Sequence, residues 1–250
     1  MIILEREDEF LMVNQHDHAQ VSGEIAQHWK DEYFIGKEKK QQVILAIHQH
    51  DRGWMDLDAS PLWNVESNRP HSFDDYPVGP KIASYRKAID EVEQMDKYAG
   101  LLCSLHFASF LEEAEDQPSR DFCSHEKDRQ SFLLNELRIN NLDYQYHLEI
   151  LKLCDNLSLY LCLNEPGAKK ENEHPFFRYG FPQQFPFAQN KRIHAYWENN
   201  QTISLSLSPF ETGLSVSFPF KAVTKEAIRD AGLERAYKKA PVKIRTVTMK

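Results

Sequence analysis

The chain is 250 residues long, and its 41% hydrophobic and 27% charged content are ordinary for a globular protein. Its formal net charge of -8 argues against broad nucleic-acid binding, because that function needs a basic face. No apolar window approaches the ~18 residues of a membrane-spanning helix, and the N-terminus lacks the basic and apolar regions of a secretory signal. We therefore expect neither a membrane partner nor secretion.

The four cysteines predict a reducing compartment. They show no CxxC spacing, and Cys103, Cys154 and Cys162 lie in apolar runs, which is typical of buried free thiols. We therefore expect the protein to be cytoplasmic.

Residues 1–164 predict mostly helices. Residues 1–13 alternate loosely between apolar and polar and predict one or two short strands. Several prolines in residues 55–80 predict a long connection there. Apolar residues at helical spacing predict helices at 17–30, 39–50, 81–113 (as one or two), 118–140 and 143–163.

The pattern changes after residue 164. Residues 165–192 are rich in Pro, Phe, Asn and Gln and predict an irregular segment. Beyond it, strands are predicted at 193–197, 201–208, 212–220 and 242–248, with a short helix at 224–237. The predicted fold class is mainly α: a helical core over 1–164, with an irregular, β-rich appendage over 165–250 packed on it as one compact domain. The appendage would form a small antiparallel sheet, with or without the N-terminal strands.

Three short patches predict a metal site. His18 begins an amphipathic helix, the pair His50-Asp51 ends an apolar one, and Asp155 lies inside the apolar segment LKLCDNLSLYLC. Adjacent His and Asp at a helix end can hold one cation together, and flanking helices then supply further ligands. Imidazole and carboxylate suit Mn, Fe, Zn or Mg, in contrast to the thiolates of structural zinc sites. His16 is an alternative to His18, which we prefer because apolar residues follow it at helical spacing.

Asp155 is the most informative of these residues. Its neighbours are mainly leucines, so a core helix would bury its carboxylate. A buried carboxylate must be paired or must ligate a metal. We favour the metal ligand. The alternative is a structural Asp that accepts hydrogen bonds from a neighbouring helix start or pairs with an Arg.

The order H…HD…D described above resembles the HD-domain superfamily of metal-dependent phosphohydrolases. The segment VILAIHQHDRGW resembles its apolar helix that ends in His-Asp, and LKLCDNLSLYLC resembles its final ligand helix. The resemblance covers residues 15–163 and implies an HD-like helical bundle. After the His-Asp pair the superfamily usually has a small apolar residue, Gly, and Lys or His, where this chain has Arg52-Gly53-Trp54. More narrowly, the chain resembles a bacterial family of conserved proteins with no assigned function.

The resemblance also implies further ligands. Some proteins of that superfamily carry two extra histidines between the His-Asp pair and the last Asp, and these hold a second metal. His71 and His106 match that order, although His106 could instead be a core histidine with a hydrogen-bonding partner. The resemblance thus implies one or two divalent ions held by six residues: His18, His50, Asp51, His71, His106 and Asp155.

The leading hypothesis for function is a metal-dependent phosphohydrolase that uses a metal-bound water on a small phosphorylated or anionic substrate. Asp51 and Arg52 would be the catalytic residues. Arg52 would either contact a substrate phosphate or pair with an acid in the following loop, and the sequence favours neither. Two alternatives stay open: a di-iron oxygenase built on the same six residues, and a non-catalytic domain that binds a metal or ligand. The oligomeric state also stays open, with a homodimer as one option.

Overall fold

The computed structural model describes residues 1–139 and 141–250, and it combines long helices with a six-stranded sheet. The helices are α1 (Gln15–Gln27), α2 (Lys40–Gln49), α3 (Met55–Ala59), α4 (Val78–Met95), α5 (Lys97–Ser109), α6 (Gln117–Glu136), α7 (Asp143–Leu163), α8 (Lys225–Ala231) and α9 (Leu233–Lys239). The strands are β1 (Ile2–Glu5), β2 (Glu9–Val13), β3 (Trp63–Asn64), β4 (Arg69–Pro70), β5 (Ala195–Asn199), β6 (Thr202–Leu205), β7 (Leu214–Thr224) and β8 (Val242–Met249).

The predicted helices of the first part are confirmed, with ends shifted by a few residues. The long segment 81–113 divides into α4 and α5 at Asp96, whose extended backbone ends α4. The Asp96 carboxylate then accepts a hydrogen bond from the Ala99 amide and so caps α5. The helix predicted over 118–140 ends at Glu136, and residue 140 lies outside the described residues.

The large sheet has the strand order β1-β2-β7-β8-β6-β5. Its pairs are antiparallel except for the parallel pair of β6 and β8. Strand β7 alternates as a half-buried strand should: Leu214, Val216 and Phe218 are buried, while Ser215 and Ser217 are exposed. The alternation buries one face of the sheet against the helices.

The predicted fold class, a mainly α HD-like bundle with a small antiparallel sheet, is wrong. The sheet is a large, curled, mixed one that forms a half-barrel, and 53% of the residues are helical. Alternation along the sequence predicts that a strand exists but not which strand it pairs with. Phe10 in β2 pairs with Val223 in β7, so the sheet takes strands from both 1–164 and 165–250. The connection predicted over 55–80 also contains α3 and a small hairpin of β3 and β4.

Four helices converge beside the sheet and position the site described below. Helix α1 packs against α2 and α7, and α5 packs against the same two helices. Their contact faces form one continuous apolar core with the buried face of the sheet. In the described part of the chain, no helix is long and apolar enough to cross a bilayer.

Candidate metal centre

Five buried side chains with metal-ligating atoms meet where these helices converge. We call them the donor cluster: His18 from α1, His50 and Asp51 from the end of α2, His106 from α5, and Asp155 from α7. They form two groups that share His50: one adds His18 and Asp51, and the other adds His106 and Asp155. Within each group, the ligand atoms lie within 4.8 Å of one another. These buried groups could hold a metal ion.

The chain turns sharply after α2, and this turn fixes the position of the His-Asp pair. A short 3₁₀ turn over Arg52–Trp54 follows directly on Asp51. Gly53 lies against the backbone of Ser84 in α4, and a Cβ atom at this position would overlap the Ser84 carbonyl oxygen. Only glycine allows this close approach, which explains the glycine two residues after Asp51.

The distances within the donor cluster fit a cation. His18 Nε2 lies 3.0 Å from Asp51 Oδ2 and 3.5 Å from Asp155 Oδ1. His50 Nε2 lies 3.5 Å and 3.7 Å from the same two oxygens, and His106 Nε2 lies 3.5 Å from Asp155 Oδ2. A cation with ligand bonds of about 2.1 Å holds adjacent ligand atoms about 3.0–3.4 Å apart. The spacing therefore suits an ion placed between the imidazoles and the carboxylates.

The hydrogen bonds behind the rings direct the Nε2 lone pairs toward the carboxylates. His50 Nδ1 donates to the Ile47 carbonyl oxygen at 2.7 Å, and its Nε2 has no hydrogen-bond partner. His18 Nδ1 contacts Ser158 Oγ, whose own proton goes to the Asp155 carbonyl oxygen at 3.0 Å. The serine thus holds the His18 ring from behind, and the Nε2 atom of His18 faces Asp51 Oδ2 at 3.0 Å. Outer hydrogen bonds of this kind are typical of metal-ligating histidines.

The electrostatics of the cluster favour a bound positive charge. Burial disfavours the imidazolium form of His50, but the charges of Asp51 and Asp155 outweigh it and raise the pKa of His50 to about 9. Burial also acts on Asp155, where the positive charge of the nearby His50 ring outweighs it and lowers the pKa of Asp155 to about 2. Burial lowers the pKa of His106 to about 3, so that this ring is neutral. The two carboxylates thus attract a cation, and His106 offers a neutral imidazole as a ligand. A metal ion held by His50 would displace the proton of that ring.

Three residues considered at the sequence level lie elsewhere. His71 Nδ1 contacts the Asp75 carbonyl oxygen at 2.9 Å, and His71 belongs to neither group of ligand atoms found in the described residues. Arg52 Nε donates to Glu91 at 2.5 Å, so Arg52 pairs with an acid in α4 and not with one in the loop that follows it. His16 also lies outside both groups, whereas His18 is a member. The structure thus brings together five of the six predicted ligands.

Comparison with known proteins gives one match, which is to a family whose sequence profile covers residues 1–225 and is described as "Protein of unknown function (DUF3891)". The chain belongs to this family. The match contains the whole donor cluster, but not α8, α9 or β8. No curated protein and no solved structure matches the chain.

A cavity of about 420 Å³ opens over the donor cluster of this DUF3891 protein. His18, Asp51, His106 and Asp155 form part of its wall. The remaining wall includes aromatic rings together with polar residues that sequence reasoning missed, namely Gln15, Asp74, Lys81, Lys152, Asn156 and Gln183. Lys152 could have been found, because it lies three residues before Asp155 on one helix and therefore shares its face. Lys81 gives no such signal in the sequence.

Proposed function

We propose that this DUF3891 protein is a metal-dependent hydrolase that acts on small phosphoesters. The observation that carries the proposal is the convergence of three imidazole Nε2 atoms and two carboxylates beneath an open cavity. Structural metal sites are closed by four protein ligands, whereas catalytic sites keep a position open toward a cavity. The cavity over the donor cluster therefore supports a catalytic ion over a structural one.

We infer that the ion is Mn, Fe or Zn, with Mg the poorest fit. Magnesium prefers oxygen ligands, whereas three of the five donors are imidazole nitrogens. His18, His50, Asp51 and Asp155 would hold it. His106 faces the second oxygen of Asp155, so it could complete the coordination or position that carboxylate.

The donor cluster supports one ion better than two. A second ion would need further ligands, and the searched part of the chain places His71 outside the cluster, with its Nδ1 against Asp75. The di-iron oxygenase alternative depends on all six residues, so this position of His71 favours the hydrolase.

The residues of the site would each contribute to hydrolysis in a defined way. When bound, a divalent ion supplies Lewis-acid polarisation of a phosphoryl oxygen and lowers the pKa of water. Asp51 and Asp155 hold the charge of that ion, and the hydrogen bonds to Ile47 and Ser158 keep the rings of His50 and His18 in the ligating orientation. The buried rings of Trp54, Tyr85 and Phe107 in the cavity wall make the surroundings of the cluster less polar and so strengthen these electrostatic interactions.

Metal content tests the proposal first. We expect elemental mass spectrometry of the native protein to find about one Mn, Fe or Zn per chain, and Asp51→Asn combined with Asp155→Asn to lose it. The matched control is Asp56→Asn, because Asp56 lies on the surface and outside the donor cluster. Loaded protein should hydrolyse p-nitrophenyl phosphate, and the double variant should not. Absence of bound metal after incubation with Mn, Fe and Zn would contradict the proposal.

A further inference from the structure

Two lysines line the cavity without an anionic partner. Lys81 in α4 and Lys152 in α7 are half-buried, and neither ammonium group has an ion-pair or hydrogen-bond partner among the described residues. Burial lowers the pKa of Lys81, and nearby acids such as Asp74 offset this only in part. A half-buried ammonium group is stabilised by an anion, so a ligand that carries negative charge fits this wall of the cavity.

Lys152 is the lysine nearer in sequence to the donor cluster. It precedes Asp155 by three residues on α7, and side chains at this spacing lie next to each other on a helix surface. Both residues line the same cavity. A phosphate that reaches an ion at Asp155 therefore comes within range of the Lys152 ammonium group.

The outer wall of the cavity is aromatic and unusually exposed. Phe110 is 54% exposed and Phe176 is 52% exposed, and both line the cavity. The Phe110 ring packs edge-on against the His106 ring, with 4.6 Å between the ring centroids, so it lies directly beside the donor cluster. Large exposed aromatic side chains contribute much favourable free energy when a ligand or partner covers them. These two rings therefore fit an apolar, planar group on the ligand.

The charge of the cavity wall limits the number of phosphate groups that a bound ligand can carry. Three carboxylates (Asp51, Asp74 and Asp155) and two ammonium groups line it, so a bound divalent ion would leave one net positive charge. A nucleoside triphosphate carries about four negative charges, which this wall cannot balance. A single phosphate group matches it better.

We propose that the cavity binds a phosphate monoester whose organic group is aromatic. The phosphate would lie between the donor cluster and Lys152, with Lys81 as the second cation, and the organic ring would pack on Phe110 and Phe176. The position of the phosphate rests on the proposed metal-dependent function. The selectivity for an aromatic group rests on Phe110 and Phe176 alone.

Binding of two non-hydrolysable probes tests this proposal. We expect calorimetry on the metal-loaded protein to show that phenylphosphonate binds roughly tenfold more tightly than methylphosphonate, because only the former covers the two rings. Phe110→Ala with Phe176→Ala should weaken phenylphosphonate binding by roughly tenfold and so remove this preference. Phe132→Ala is the matched control, because Phe132 is 63% exposed on α6 and lies outside the cavity wall. Equal affinity of the native protein for both probes would overturn the aromatic selectivity.

Charge removal tests the phosphate position. Lys152→Gln should weaken both probes by roughly tenfold or more, since a charge-assisted hydrogen bond to phosphate is lost. Lys127→Gln, which removes an exposed charge on α6 outside the cavity wall, should change neither affinity. Circular dichroism checks that each variant is folded. If Lys152→Gln binds both probes normally, the proposed phosphate position is wrong.

The two proposals fail in different ways. If phenylphosphonate is preferred as expected but no phosphoester is hydrolysed with any metal, the hydrolase is refuted and the binding selectivity stands. If p-nitrophenyl phosphate is hydrolysed but the probes bind equally, the hydrolase stands and the selectivity is refuted. Faster hydrolysis of ATP than of phenyl phosphate would also overturn the selectivity for a single phosphate group.

Discussion

Two of the buried polar clusters in the described residues differ in whether their hydrogen bonds are complete. In the second, which we call the Glu173 cluster (Tyr160, Lys170 and Glu173), the carboxylate accepts from Tyr160 Oη at 2.7 Å and from Lys170 Nζ at 2.6 Å. Lys170 also donates to two backbone carbonyl oxygens. Every charge there has its partner within the chain, as a structural cluster requires.

The donor cluster lacks this completeness. Its Nε2 atoms face carboxylate oxygens, and His50 Nε2 has no hydrogen-bond partner. The carboxylates of both clusters are buried, so burial alone does not separate them. The incomplete hydrogen bonding of the donor cluster, and not its burial, therefore sets it apart from the Glu173 cluster and supports the proposed metal site.

Metal removal should separate the two clusters most strongly. We expect a free metal concentration one hundredfold above Kd to raise the free energy of unfolding by about 2.7 kcal/mol, because the ion binds only the folded chain. Asp155→Asn should abolish this dependence on metal. Urea unfolding with added metal and with a chelator measures it. A native protein that is equally stable in both conditions would place the donor cluster beside the Glu173 cluster as purely structural.

Neutralising Glu173 should give the opposite pattern. Glu173→Gln leaves Lys170 without its acid and should lower the free energy of unfolding by about 2 kcal/mol, whether or not metal is present. Glu171→Gln is the control, because Glu171 is exposed two residues away. The same urea titrations apply. Loss of metal binding in Glu173→Gln, with the fold intact, would contradict the separation of the two clusters.

A substitution at Gly53 tests whether the turn after α2 positions the donor cluster. Gly53→Ala would force the turn after Asp51 away from Ser84, and overpacking of this kind costs about 1–2 kcal/mol. We also expect weaker metal binding, measured by calorimetry, because Asp51 would shift. Gly79→Ala is the control, since a Cβ there meets no atom within 4 Å. Unchanged metal affinity in Gly53→Ala would show that the turn does not set the position of Asp51.

The smallest expected effect on the free energy of unfolding concerns His147, a buried histidine whose two ring nitrogens both have hydrogen-bond partners. It accepts from Tyr98 Oη at 2.5 Å and donates to the Ile35 carbonyl oxygen at 2.7 Å. Burial lowers its pKa, so the unfolded chain takes up the proton more readily. Its contribution to stability is therefore present above the unfolded pKa of about 6.5 and falls as pH drops below that value.

The pH dependence of His147 can be isolated by difference. We expect the native protein, in chelator, to lose more unfolding free energy between pH 7.5 and 5.5 than His147→Gln does. His28→Gln is the control for replacing a histidine, because His28 is exposed. A native protein and His147→Gln with the same pH dependence would show that the His147 pKa is not lowered.

The site was more predictable from the sequence than the sheet was. His50 and Asp51 are adjacent, and Asp155 stands out as a charge in an apolar helix, so local patterns carry this information. His71 matched the expected order, but its ring contacts Asp75, and only the fold of the loop decides between these partners. The pairing of Phe10 with Val223 depends on the whole tertiary arrangement. Alternation within either strand does not identify its partner strand.

The position of β8 means that the large sheet can be completed only late in synthesis. This strand lies between β7 and β6, although it follows both in the chain. Until the ribosome has released residues 242–249, β7 and β6 each keep an open edge that can pair with another chain. These two edges therefore stay open to pairing after every residue of the donor cluster has been synthesised, and residues 242–249 close them.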